Sequence, residues 1–144
     1  MGRIIGIDYG KKRIGLAVTD PLQMFASPLI TVSNNEFEDY IKGYIKSEHV
    51  EAFVIGYPVQ MNNKPSESVK YIDHFIKRLE KLFPVIPVYR ADERFTSQIA
   101  FQSMIDGGVK KKGRRNKEMI DRISASIILQ SFIERSRREA DGKR

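Results

Sequence analysis

Acidic residues at a few positions and one run of basic residues are the parts of this chain best suited to chemistry. Asp8 closes a short apolar run, Arg3–Asp8. Asp92 and Glu93 follow a second strand-like run, Val85–Arg90, and Asp121 lies inside a helical pattern near the C-terminus. Acids just beyond strand ends stand where open α/β sheets place their sites. Each also has a plainer reading, Asp8 as a turn former before Gly10 and the Asp92-Glu93 pair as ordinary polar loop. Asp121 is the most informative, because helical spacing sets it on one stripe with Ala125, Ile128 and Phe132. An acid on an apolar face has to be paired or hold a cation. Arg122 or a nearby lysine would serve as the partner, and a metal ion as the cation. Acids from two strand ends and one core-facing helix suit the all-oxygen site that hard ions such as Mg²⁺ or Mn²⁺ prefer. Two such ions, about 3.5–4 Å apart, activate water and stabilise the leaving oxygen in phosphodiester cleavage.

The basic residues point to a polyanion. The segment 107–117 contains Lys110, Lys111, Lys112, Arg114, Arg115 and Lys117 and no acid, so its six positive charges leave only +1 of the net +7 to the rest of the chain. A patch this concentrated favours a nucleic-acid partner; its plainer reading is a solvated loop with no ligand. Lys11, Lys12 and Arg13, close behind Asp8, read either as phosphate contacts or as a solvated turn. Arg94 would steady Glu93 or bind a phosphate. Tyr57, beside a strand end, would stack on a base or pack against the core. A carboxylate cluster and a basic loop in one chain make sense together as a nuclease. The rival of another class, a non-catalytic nucleic-acid-binding module, accounts for the basic loop but leaves Asp121 unexplained.

These residues need a scaffold. Arg3–Asp8 and the alternating run Arg13–Thr19, with Gly10 between them, read as a β-hairpin. Leu29–Ser33 reads as a third strand. Ser33-Asn34-Asn35-Glu36 has capping-box spacing, so a helix is expected from there to about Ser47. Ala52–Gly56 is apolar on both faces, as in a buried parallel strand. Ser66 reads as an N-cap, with Val69, Ile72, Ile76, Leu79 and Phe83 on one helix face. Pro87 places the strand Val85–Arg90 at or near a sheet edge. Thr96 is expected to cap a helix that Gly107-Gly108 ends, and a last helix is expected from about Lys117 to Arg137. The order β-β-β-α-β-α-β-α-α implies an α/β fold, a mixed five-stranded sheet with helices packed on its faces. Residues 1–138 are expected to form one domain and residues 139–144 a charged, disordered tail.

Composition narrows the classes. With 144 residues, 41% hydrophobic and 30% charged, the chain suits one globular domain. It has no cysteine, which removes disulfides, thiolate zinc sites and cysteine nucleophiles. Its only histidines, His49 and His74, fall on expected helices and read as surface residues. No secretory leader or membrane span is expected, and the simplest location is the cytoplasm.

The motifs also resemble a known family. Gly6-Ile7-Asp8-Tyr9-Gly10-Lys11-Lys12-Arg13-Ile14-Gly15 resembles the opening motif of the YqgF/RuvX family. Asp92-Glu93-Arg94-Phe95-Thr96-Ser97 resembles its Asp-Glu-Arg-x-Thr motif, and Gly56-Tyr57-Pro58 its Gly-x-Pro turn. Asp121 with Ser124, Ala125, Ile128, Leu129 and Gln130 resembles its C-terminal helix signature. The chain departs from the pattern at Asn62-Asn63, where many relatives have Asp-Gly, and at Ser124, where Ala is common. The resemblance implies an RNase H-like fold and a divalent-metal nuclease site, with Asp8, Glu93 and Asp121 as both catalytic and metal-holding acids. It implies a bacterial housekeeping role, either maturing the 5′ end of precursor 16S rRNA or resolving Holliday junctions. Actin-like and sugar-kinase proteins share a similar first hairpin. They close two such domains around ATP, and this chain has room for one, so no nucleotide cofactor is expected. Junction resolution requires two symmetric cuts and a two-fold dimer. With no sustained heptad or apolar exposed helix in the pattern, a monomer or weak homodimer is expected, with precursor rRNA as the favoured partner.

Overall fold

The computed structural model describes residues 2–57, 67–92 and 117–142. Three strands come first, β1 (Arg3–Tyr9), β2 (Arg13–Thr19) and β3 (Ala26–Ser33). Helix α1 (Phe37–Ser47), strand β4 (Val50–Tyr57), helix α2 (Glu67–Leu82), strand β5 (Val88–Asp92) and helix α3 (Lys117–Gly142) follow. The strands form one sheet in the order β3-β2-β1-β4-β5. β1 and β2 pair antiparallel, as do β2 and β3, while β4 runs parallel to both β1 and β5. This is the expected mixed five-stranded sheet.

Strand alternation divides the sheet's side chains between two cores. On one face Ile5, Ile7, Ile14, Leu16, Phe53 and Ile55 pack against Phe37 and Ile41 of α1 and Ile72, Phe75, Ile76 and Leu79 of α2. On the other, Ile4, Ala17, Ala52, Val54 and Ala91 pack against Ala125, Ile128, Leu129 and Ile133 of α3. The second set is smaller, so α3 lies close to the sheet. A Cβ added at Gly6 would stand 2.8 Å from Leu129 Cβ and 2.9 Å from the Ala125 carbonyl oxygen. Helices thus cover both faces.

Several boundaries move relative to the sequence reading. β3 begins at Ala26 because its pairing with β2 continues to Thr19. α1 starts at Phe37; Ser33 Oγ accepts from the Glu36 amide at 3.3 Å, in the turn before the helix. β5 starts at Val88, after Pro87, and lies at the sheet edge. Proline has no N–H to give a ladder, and here its carbonyl accepts from Phe53 N instead. α3 continues through Gly142, past the expected Arg137 and into the segment read as a tail, because Arg, Glu and Ala are good helix formers. His49 sits between α1 and β4, outside any helix, and both histidines are exposed as expected. Ser66, Asn62-Asn63, Pro58, the helix begun at Thr96 and the basic segment lie outside the described residues.

Candidate active site

The site is built where β1 ends beside β2. Asp8 is cross-strand partner of Gly15, and the two therefore project to the same face. That face is the α3 side. A Cβ on Gly15 would lie 2.2 Å from the Asp121 carbonyl oxygen and 2.3 Å from its carbonyl carbon. Only a glycine leaves room for the helix backbone there. The consequence is chemical: the one turn of α3 that carries Asp121 is pressed against the strand pair that carries Asp8.

Arg13 completes this corner. It lies two residues before Gly15 on β2 and shares its face. Its Nε donates to Asp121 Oδ2 at 2.9 Å, with the side chains 36% and 23% exposed, so the pair is only partly in water. Asp121 is thus paired across 108 residues of sequence, to Arg13 rather than to the Arg122 or lysine that its neighbourhood suggested. Its stripe reads as expected, with Ala125 and Ile128 buried and Phe132 partly buried. Around it Ser124 is also buried, and its small side chain suits the close approach.

The hairpin turn is held from outside. Asn34 donates from its side-chain amide to the Gly10 carbonyl at 3.1 Å, and its backbone N–H bonds the Lys12 carbonyl at 3.1 Å. Gly10 is needed there, because a Cβ would stand 2.5 Å from the Arg13 carbonyl oxygen. Lys11 and Lys12 project from this braced turn and are exposed. At the other edge of the site Thr31 Oγ1 donates to the Glu118 carbonyl at 2.5 Å, which ties the start of α3 to β3.

β4 and β5 run parallel to β1, so their C-terminal ends, Tyr57 and Asp92, lie at the same end of the sheet as Asp8. Tyr57 belongs to the opposite face. Its hydroxyl donates to Asp73 Oδ1 at 3.0 Å, and the Arg90 guanidinium lies 5.5 Å from its ring centre. Burial, then the contact with Asp73, raises the Tyr57 hydroxyl's pKa, so it stays protonated. Glu93 and Arg94, next in the chain after Asp92, and Lys110, Lys111, Lys112, Arg114 and Arg115 lie outside the described residues. Among the described residues no cluster of three or more metal-ligating side chains occurs. The structure therefore brings together Asp8, Arg13 and Asp121, with Lys11 and Lys12 on the adjoining turn. Sequence reasoning missed Gly15 and Asn34 as the residues that set this geometry. Gly15 was visible as a glycine inside a strand, the usual mark of a close backbone approach.

The family model for RuvX, described as a Holliday junction resolvase, matches residues 2–135. A protein of Amoebophilus asiaticus bearing the name "Putative pre-16S rRNA nuclease" is 52% identical over 92% of this chain and 94% of its own length. Its namesakes in Phocaeicola vulgatus and Bacteroides thetaiotaomicron are 53% and 50% identical, over 93% and 95% of this chain and 96% and 99% of their own lengths. Among solved structures, Thermus thermophilus RuvC in complex with a Holliday junction substrate aligns with a TM-score of 0.54 at 17% identity, over 94% of this chain and 96% of that one. The fowlpox virus resolvase with its junction DNA gives a TM-score of 0.53 at 15% identity, over 92% and 97%. At such identities these two likenesses speak for the fold, which is RNase H-like. With the family model spanning nearly the whole chain and half its residues identical to those of named nucleases, this chain belongs to the RuvX family of nucleases.

Proposed function

We propose that this chain is a divalent-metal-dependent nuclease that acts on the 5′ region of precursor 16S rRNA. The observation that carries the reading is the crossing at Gly15, which presses the Asp121 turn against the strand pair ending in Asp8. Two carboxylates from distant parts of the chain at one sheet end, one of them already balanced by a guanidinium, fit a hard cation's preference for oxygen donors. Asp8, Asp121 and Glu93 would hold Mg²⁺ or Mn²⁺, two ions in our reading. The metal would supply an activated water and neutralise the leaving oxygen.

The chain's own residues do the rest. Arg13 orients the Asp121 carboxylate through its 2.9 Å hydrogen bond, and a substrate phosphate would be its alternative partner. Lys11 and Lys12, on a turn braced by Asn34, offer two further cations at fixed positions along the polymer. Arg94 and the basic run at 110–115 would supply further phosphate contacts. Tyr57, held by Asp73 and Arg90, would border the substrate path.

RNA is favoured because the relatives at 50–53% identity carry a pre-16S rRNA nuclease name. One experiment offers the purified protein, with Mn²⁺, equal amounts of an RNA spanning the 16S 5′ end and a four-way DNA junction. Cleavage of the RNA is expected. Paired symmetric nicks in the junction, with the RNA intact, would overturn the assignment in favour of junction resolution.

A further inference from the structure

Asp8 and Tyr9 are consecutive in β1, so they face opposite sides of the sheet. Asp8 faces α3. Tyr9 faces α2, where its ring packs on Phe75 with centroids 4.7 Å apart. Past Tyr9 the turn carries Gly10 and Lys11, and across from it the start of α2 carries Tyr71 beside the buried Ile72. Tyr71 lies off the buried stripe of its helix and is 45% exposed. The Lys11 ammonium sits 4.1 Å from the centre of its ring. Tyr9, Gly10, Lys11, Tyr71 and Ile72 together line a pocket of about 100 Å³.

The lining chooses its ligand. Two aromatic rings and an isoleucine make walls that suit a flat, weakly polar body and do nothing for a bare anion. The lysine at the rim suits a phosphate and disfavours an uncharged peptide. A nucleotide has both halves. Its base offers the Tyr71 ring a larger stacking partner than an ammonium does, and its phosphate offers Lys11 a full opposite charge in place of a π-face. A duplex keeps its bases inside the stack, so the nucleotide that enters has to be unpaired. We propose that this pocket binds one unpaired nucleotide of a single-stranded nucleic acid, its base on Tyr71 and Tyr9 and its phosphate on Lys11. The identity of the polymer rests on the nuclease reading above. The pocket adjoins Asp8 in sequence but opens on the other face of the sheet. A strand held there would pass over the sheet end, and unpaired RNA at that step would be preferred over paired RNA.

The test is a binding measurement without divalent metal, so that no cleavage occurs. A fluorescent single-stranded RNA of about eight nucleotides, within the span of known single-strand sites, is titrated with wild type, Tyr71→Ala, Tyr71→Phe and Lys11→Gln, beside a blunt duplex of the same sequence. Tyr71→Ala is expected to weaken single-strand binding by about 5- to 150-fold, the usual range for one lost stacking contact, with Tyr71→Phe near wild type. Duplex binding is expected to be unchanged in Tyr71→Ala. Lys11→Gln is expected to lower the log–log salt slope on the single strand by about 0.7. An abasic scan of the RNA against the wild-type protein needs no variant to fold: one position is expected to account for the loss, and Tyr71→Ala should add nothing to it. Equal single-strand binding by Tyr71→Ala, an equal loss on the duplex, or a free mononucleotide that competes as well as the oligonucleotide would overturn the proposal. The nuclease reading fails separately. If wild type does not cleave RNA with Mn²⁺ while the Tyr71 effect holds, the pocket stands without that reading; if cleavage is present and Tyr71 has no effect, the pocket alone is wrong.

Discussion

At the scale of single residues, the Arg13–Asp121 pair poses a competition. A cation entering the site has to share or take the Asp121 carboxylate from a guanidinium 2.9 Å away. A partly exposed pair of this kind contributes roughly 0.2–1 kcal/mol, so the guanidinium is a weak competitor. Arg13→Gln is therefore expected to tighten Mn²⁺ binding by about 2- to 5-fold in calorimetry while weakening RNA binding. Weaker metal binding in that variant would mean that Arg13 supports the metal site instead of competing with it. Asp8→Asn makes the complementary case. It keeps size and shape but removes the charge of a proposed metal-holding carboxylate, so cleavage is expected to vanish. The melting temperature of the metal-free protein is expected to hold within about 3 °C. An Asp8→Asn protein that cleaves at the wild-type rate would remove Asp8 from the site. Asp8 and Asp121 were legible in the sequence because an acid at the end of an apolar run, or on an apolar helical stripe, demands a reason. The identity of Asp121's partner was not legible. Arg13 lies 108 positions away, and no local spacing encodes a contact made by folding.

At the scale of elements, one glycine decides how α3 meets the sheet. Gly15→Ala places a methyl group 2.2 Å from backbone oxygen, and backbone cannot move aside as the end of a side chain does. The helix has to lift, at a cost of about 3 kcal/mol, the upper end of the usual range for overpacking. Thermal denaturation should show a fall of roughly 6–12 °C, and cleavage should drop further than stability alone explains, because Asp121 moves with the helix. Gly43→Ala is the control. It sits on the exposed face of α1 with nothing within 4 Å of a new Cβ. It is expected to stabilise by about 0.5–1 kcal/mol. Equal, small effects at both positions would show that the α3 crossing is not set by Gly15. The order of the described elements, the hairpin, the buried strand β4 and the sheet-edge strand after Pro87 all followed from periodicity and turn residues. The starts of β3 and α1 did not. β3 is lengthened by pairing with β2, which lies outside any local window, and α1 begins one turn after the residues with capping-box spacing. The Tyr71 pocket had one sequence signal, an aromatic residue off the apolar stripe of its helix. Only the fold brings Lys11 over it.

At the scale of the whole molecule, charge is distributed unevenly, and that separates holding the polymer from cutting it. Of the net +7, six charges come from the segment 107–117, while the acids proposed to hold the metal stand at positions 8, 93 and 121. In the proposed function a polyanion would be drawn by the first group and cleaved at the second, so the two roles should come apart by mutation. Binding driven by released counterions weakens with salt, and each phosphate contact contributes about 0.7–0.9 to the slope of log affinity against log salt. Neutralising Lys110, Lys111, Lys112, Arg114 and Arg115 together is expected to flatten that slope by about 0.7–0.9 for every contact the segment makes. Cleavage at saturating RNA should fall much less than affinity, because none of these residues is an acid of the site. Measured over a series of salt concentrations, the same variant also distinguishes the segment from the hairpin. Lys11 and Lys12 are left in place on a turn fixed by Asn34, so a residual slope should remain. A slope that stays at the wild-type value would assign the segment no contact with nucleic acid, and the positive surface of the molecule would reduce to the hairpin and Arg13.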